Sequence, residues 1–184
     1  MQAHAGATSY FFAQMVGPDG RVYAFEPDEM TFEYLLRNIE LHKLKNVIPV
    51  KKALAGKTGT ALFSMDGSQV AGLAGFTQCA NKQQMREVET VSFEDACREY
   101  GVPALIKMDI EGAEAEVVST SAEFLKDHPI HLAIETEHRL NGEFTSVPVT
   151  RVLSSIGYTV WSSRSTGTQF TWEARLYLNS GGSN

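Results

Sequence analysis

The sequence has no run of about 18 apolar residues, the length a helix needs to cross a bilayer. Its first residues have neither the basic start nor the apolar stretch of a secretory signal. Nothing in it reads as a membrane anchor. Cysteine is scarce: Cys79 and Cys97 are the only two in 184 residues. They form no CxxC pair and have no histidine framework beside them, which argues against structural zinc and against a disulfide scaffold. The expected compartment is a reducing cytoplasm. Positive charge is in deficit, with 16 Lys and Arg against 22 Asp and Glu and a formal net charge of -6. Phosphate-backbone binders need a basic surface, so nucleic acid is not an expected partner. Internal repeats and low-complexity segments are lacking too.

What remains is 43% hydrophobic residues, enough for one domain with a substantial core over residues 1–184. The closing residues 179–184 read as a frayed tail. Short apolar runs alternate with amphipathic stretches, the pattern of parallel strands covered by helices on both faces. Strands are expected at Arg21–Phe25, Val47–Lys51, Leu105–Asp109 and His131–Glu135, with two more at Thr159–Ser162 and Ala174–Leu178. Helices are expected at Thr8–Met15, Met30–Leu41, Phe93–Tyr100, Ala113–Leu125 and Val147–Ile156. Tyr10, Phe11 and Phe12 read as the buried face of the first helix, and Trp161 and Trp172 as core or rim aromatics. The stretch Phe63–Glu87 shows no strong period and reads as a long loop, a feature more often functional than decorative.

In open parallel sheets, ligands bind beyond the carboxyl ends of the strands. Three strands end in acids there: Glu26 and Asp28 after the first, Asp109 and Glu111 in KMDIEGAE, and Glu135 and Glu137 in AIETEH. Glu26 fits either a ribose-binding acid or the solvated start of a helix, since Pro27 and Asp28 are also helix-start residues. Lys107 and Asp109 share parity, so both side chains should leave the strand on the same face. A buried lysine or carboxylate is costly unless paired, which leaves a structural lysine-acid pair or a functional site. Glu111 and Glu114 fit helix-capping acids, and Gly112 a tight turn. Candidate general bases are Asp109, Glu111, Glu135 and His138. Histidine has the best-matched ordinary pKa.

The order VYAFEP, RNIELHKLKNV, KKALAGKTGTA, VSFEDACREYG, LIKMDIEGAEAEVV, HLAIETEH resembles the FkbM-type family of S-adenosylmethionine-dependent methyltransferases across nearly the whole chain. The resemblance implies a Rossmann-like class I methyltransferase sheet with a final antiparallel strand. It also implies methyl transfer to a hydroxyl of a sugar or small natural-product acceptor. Matched residue by residue, Gly6 takes the last glycine of the family's D-x-G-A-N-x-G motif, and Ala3 and His4 its Ala and Asn. Glu26 takes the ribose-binding acid, followed by Pro27. Lys52 and Ala53 flank the adenine, and Asp109 lies beside the methionine part. No metal is implied. Gln2 replaces a motif glycine, and the family's first strand and motif aspartate have no counterpart. The expectation is therefore weakened cofactor binding and self-association through two open sheet edges.

Other classes stay open on the residues alone. A degenerate methyltransferase fold could bind partners without catalysis. A nicotinamide-dependent enzyme is disfavoured by the lack of GxGxxG. A metal-assisted transferase could draw on Asp109, Glu111 and Glu135.

Overall fold

The computed structural model describes residues 6–64, 72–76, 85–140, 142–164 and 170–176, with side chains as far as residue 161. The amino-terminal part runs α1 (Ala7–Val16), β1 (Val22–Phe25), α2 (Glu29–Leu41) and β2 (Val47–Val50). A small second group follows, β3 (Ala53–Ala55), β4 (Gly59–Ser64) and β5 (Met85–Ser92). Then come α3 (Phe93–Tyr100), β6 (Leu105–Met108), α4 (Glu114–Thr120), α5 (Ala122–Asp127) and β7 (His131–Glu135). The chain closes with β8 (Arg139–Leu140), β9 (Glu143–Phe144), α6 (Ser146–Ser155), β10 (Tyr158–Arg164) and β11 (Phe170–Leu176).

The parallel strands expected from the apolar runs are present, but they lie in two separate sheets. β1 pairs with β2 in parallel from Val22–Val47 to Phe25–Val50. β6 pairs in parallel with β7, and β11 inserts antiparallel between β7 and β10. Among the described residues no strand lies between β1 and β6. β3 and β4 flank β5 in a third sheet, parallel and antiparallel respectively.

Several expectations are corrected. The long-loop reading of Phe63–Glu87 fails at both ends, because Phe63 and Ser64 pair with Arg86 and Met85; residues 65–71 and 77–84 lie outside the described part. The single helix expected over Ala113–Leu125 divides at Ser121 into α4 and α5. The strand expected over Ala174–Leu178 begins earlier, at Phe170; residues 177 and 178 lie outside the described part. Tyr10 and Phe11 do not face the core: they are 37% and 67% exposed. The buried residues of α1 are the small Ser9 and Ala13. Their size lets the helix lie close to its neighbours. Trp161 is 43% exposed, a rim position, while the Trp172 side chain lies outside the described part.

The helices start and stop for local reasons. Asp28 caps α2 by accepting the Thr31 N–H at 2.7 Å, and Ser92 caps α3 by accepting from Asp95 N at 3.1 Å, as short polar side chains do at an N-cap. Gly6 precedes α1 at φ 97°, and a Cβ there would sit 3.2 Å from Leu35 Cδ1. Both facts demand glycine. The far end of α1 is held by Asn46, whose Nδ2 donates to Ala13 O at 2.9 Å and Gly17 O at 2.8 Å.

The core falls into two clusters. A small one joins Ala13, Val22, Ala24, Leu35, Leu44 and Val47, while the larger one gathers Phe25 of β1 and Val50 of β2 with residues of the other sheets around Met108, Val117, Leu132 and Ile134. Among the described residues no helix is long and apolar enough to cross a membrane.

Tyr158 sits inside the larger cluster with its hydroxyl 3.2 Å from both Leu125 O, to which it donates, and Ile130 N, from which it accepts. Tyr158→Phe keeps the ring but leaves a buried N–H and C=O without that partner. It should lower unfolding stability by about 2 kcal/mol, read as a lower urea midpoint at unchanged m-value.

Candidate functional site

The carboxyl ends of β1, β2 and β6 meet at one recess. Pro27, Lys52, Ala53 and Ile110 line it, and Phe63 and Leu73 close it to about 20 Å³. Three residues expected at a nucleoside are thus brought together. Glu26 lies directly ahead of Pro27 and is 1% exposed. Its N–H continues the ladder to Val50 O at 3.0 Å, and its Oε1 accepts the Asp28 N–H at 3.0 Å. The sequence left open a ribose-binding acid or a solvated helix start. Burial removes the solvated form, and the capping role belongs to Asp28. Lys52 is tied to Glu99 at 3.4 Å. Gly6 stands at the start of α1 beside α2, and His4 lies outside the described residues.

A second cluster lies where β6 and β7 end. Lys107 Nζ is 3.4 Å from Asp109 Oδ2 and 3.4 Å from Glu135 Oε2. The three side chains are 20%, 23% and 15% exposed. Strand parity put Lys107 and Asp109 on one face, but the third member, Glu135, comes from pairing in which Lys107 stands beside Ala133. A lysine one residue from the end of β6 and an acid at the end of β7 was the available signal.

Glu114 is the residue sequence reasoning undervalued. It begins α4 yet is fully buried, and its two oxygens accept the N–H groups of Ile110 at 2.9 Å and Gly112 at 3.0 Å. A buried carboxylate is costly without such donors. The turn it holds needs positive φ at Glu111, 57°, and at Gly112, 105°. At Gly112 a Cβ would also lie 3.2 Å from Phe76 O.

His138, from the segment after β7, reaches into this turn. Its Nε2 is 3.2 Å from Glu111 Oε2 and its Nδ1 is 3.3 Å from Glu114 Oε1, the second contact off the hydrogen-bonding direction. Burial by itself would lower the imidazole pKa, but the hydrogen bonds and charges of Glu111 and Glu114 outweigh it and push the group up to about 10. The ring is a cation at neutral pH. One oxygen each from Asp109 and Glu114 and a His138 nitrogen lie within 4.8 Å of one another, ligand types suited to a divalent cation. The imidazolium proton and the two backbone N–H groups already occupy part of that donor set.

The raised His138 pKa fixes the sign of a pH dependence. The folded value, about 10, exceeds the ordinary ~6.5, so the stabilisation is fully present below ~6.5 and is lost as pH rises toward 10. His138→Gln should therefore cost roughly 3 kcal/mol near pH 6. The gap to the unsubstituted chain should narrow steadily in thermal melts between pH 7 and 10. A gap that widens with pH would contradict the imidazolium assignment.

Comparison with known proteins places this geometry. The sequence profile of the methyltransferase FkbM domain matches residues 2–160. No curated protein matches the chain. Among solved structures, the FkbM methyltransferase from Methylobacillus flagellatus KT superimposes with a TM-score of 0.66 at 17% identity, over 95% of this chain and 41% of the other. The chain thus spans well under half the length of that protein. The precorrin-6y C5,15-methyltransferase of Geobacter metallireducens GS-15 gives 0.57 at 13% identity, over 96% and 78%. A SAM-dependent methyltransferase from Aquifex aeolicus gives 0.50 at 17%, over 96% and 79%. At these identities the likeness is one of fold, the Rossmann-like fold of methyltransferases. With the profile covering most of its length, the chain belongs to the FkbM methyltransferase family.

Proposed function

We propose that this chain is one catalytic domain, residues 1–184, of a cytoplasmic S-adenosylmethionine-dependent methyltransferase whose acceptor is a hydroxyl of a sugar or small natural product. The observation that carries the reading is the convergence of strand-end acids on one edge: Glu26 after β1, and Asp109 and Glu135 joined through Lys107. Net charge of -6 does not favour a nucleic-acid acceptor. Cys97, a buried free thiol, is at home in a reducing compartment.

The donor set fits the cofactor. Glu26 is an acceptor-only group suited to a vicinal diol. Pro27, Ala53 and Ile110 offer apolar walls for a heterocycle, with the Lys52 stem at the rim. Asp109 suits an ammonium, and Gly6 with His4 would border the methionine part. S-adenosylmethionine, when bound, supplies an electrophilic methyl group. The chain's own task is then to orient the acceptor oxygen and take its proton. His138 is unsuited to that task, because it already carries a proton between Glu111 and Glu114. The base is assigned to Glu135, with Asp109 as the other strand-end carboxylate. His138 instead fixes the turn that carries Asp109.

A second reading, a methyltransferase fold that binds partners without catalysis, draws support from the recess of about 20 Å³. Ligand pockets usually enclose at least ~300 Å³. Leu73 must move aside for a heterocycle to enter.

Calorimetry with S-adenosylmethionine and S-adenosylhomocysteine separates the two. Glu26→Gln should weaken binding about tenfold, the loss of a charge-assisted hydrogen bond. Glu135→Gln should leave cofactor affinity unchanged and lower kcat at least ~100-fold. Turnover equal to that of the unsubstituted chain would remove Glu135 as the base. Absence of any binding would favour the non-catalytic reading.

A further inference from the structure

The recess beside Pro27 is stoppered from outside. Residues 72–76, GLAGF, cross it as a strap. Ser64 N–H donates to Gly72 O at 2.9 Å, and Ala74 N–H donates to Leu62 O at 2.8 Å. These two bonds bracket the antiparallel bridge between Phe63 and Leu73, which therefore face each other as a pair without mutual hydrogen bonds, the kind that brings opposite side chains closest. Both side chains turn inward: Phe63 is 2% exposed and Leu73 5%. With Pro27, Lys52, Ala53 and Ile110 around them they leave about 20 Å³, room for roughly one water.

The attachment of the strap is slight. It meets β4 through a single bridged pair, whereas β5 holds the other edge of β4 through six. Beyond Leu73 the chain turns back at once, with Phe76 N–H donating to Leu73 O at 3.2 Å. Gly75 takes the third place of that turn at φ 96°, a position that calls for glycine. A Cβ on Gly75 would meet no atom within 4 Å. Phe76 then lands on the turn at Gly112, where its carbonyl lies 3.2 Å from the position of a Cβ. Ala74 and Gly75 are exposed; of the strap, only Leu73 lines the recess.

We propose that residues 72–76 are an autoinhibitory strap: the Leu73 side chain holds the place of the cofactor's heterocycle, and binding requires the strap to peel from the edge of β4. The proposal rests on the reading of this recess as the nucleoside site and adds what controls entry to it. Leucine and a flat heterocycle are both suited to the apolar walls of Ala53, Phe63 and Ile110, and the space left by one excludes the other. A closed strap lowers the apparent affinity by the fraction of molecules in which it stands open. Any change that weakens closure therefore tightens binding. A leucine that packed down on a bound heterocycle as a lid would show the opposite dependence.

The test is calorimetry with S-adenosylhomocysteine on the 184-residue chain and on two variants, with amide hydrogen exchange on the same complexes. Leu73→Ala removes the stopper and should tighten binding at least ~5-fold. Gly75→Ala puts no atom into the recess; it strains the closed turn through its positive φ and should tighten binding about threefold. Saturating S-adenosylhomocysteine should speed exchange of the Ser64 and Ala74 amides at least ~10-fold, while the β4–β5 ladder keeps its protection. Weaker binding by either variant, or slower exchange at Ser64 and Ala74 in the complex, makes the strap a lid and overturns the proposal. Binding by the unsubstituted chain that neither variant improves overturns the strap and leaves the cofactor reading standing. Absence of binding in all three proteins overturns both.

Discussion

One buried carboxylate governs the edge of the sheet where the chemistry is placed. Glu114 has no solvent to share its charge with, and an ionised carboxylate in that position must be met by donors or by a cation. It has both: the N–H groups of Ile110 and Gly112 and the ring of His138. Meeting that requirement forces the chain through two successive positive φ angles. That path ends β6 abruptly and leaves Asp109 where Lys107 can hold it beside Glu135. The segment after β7 is drawn in by the same charge. Strand ends that belong to different parts of the chain are thereby fixed to one another.

What could be read from the sequence was whatever has a local cause. Apolar runs of strand length, the acids that follow them, and the shared parity of Lys107 and Asp109 are consequences of period and chain chemistry. They survive folding unchanged. Glu114 was read as a helix-start acid because the helix dipole gives it a sufficient local reason to be there. Its burial is a tertiary fact that no spacing announces. The same holds for Tyr10 and Phe11, whose hydrophobicity looks like a core face until the small residues Ser9 and Ala13 turn out to make the contact. The pairing of β4 with β5 was hidden by the Gly-, Gln- and Ser-rich composition between them. The break at Ser121 has no proline or glycine to mark it.

The core holds two apolar clusters, and β1 contributes to both: Val22 and Ala24 to the small one, and Phe25 to the large one, where the Tyr100 ring packs against Tyr23 and Phe25. The recess beside Pro27 is walled mainly by the large cluster, through Phe25, Ala53, Leu54, Phe63, Leu73 and Ile110. Any repacking of that cluster therefore changes the recess at Pro27, Lys52 and Ala53. Rigidity of the sheet and the shape of the site are one property.

β11 follows β7 and β10 in the sequence but lies inside their sheet, between the two. During synthesis the free edge of β7 therefore waits until the ribosome has made the residues of β11. Between Glu135 and Leu176 that wait is roughly two to eight seconds at ~5–20 residues per second. For that interval the nascent chain carries an unsatisfied strand edge, a window in which chaperone occupancy would decide between folding and aggregation.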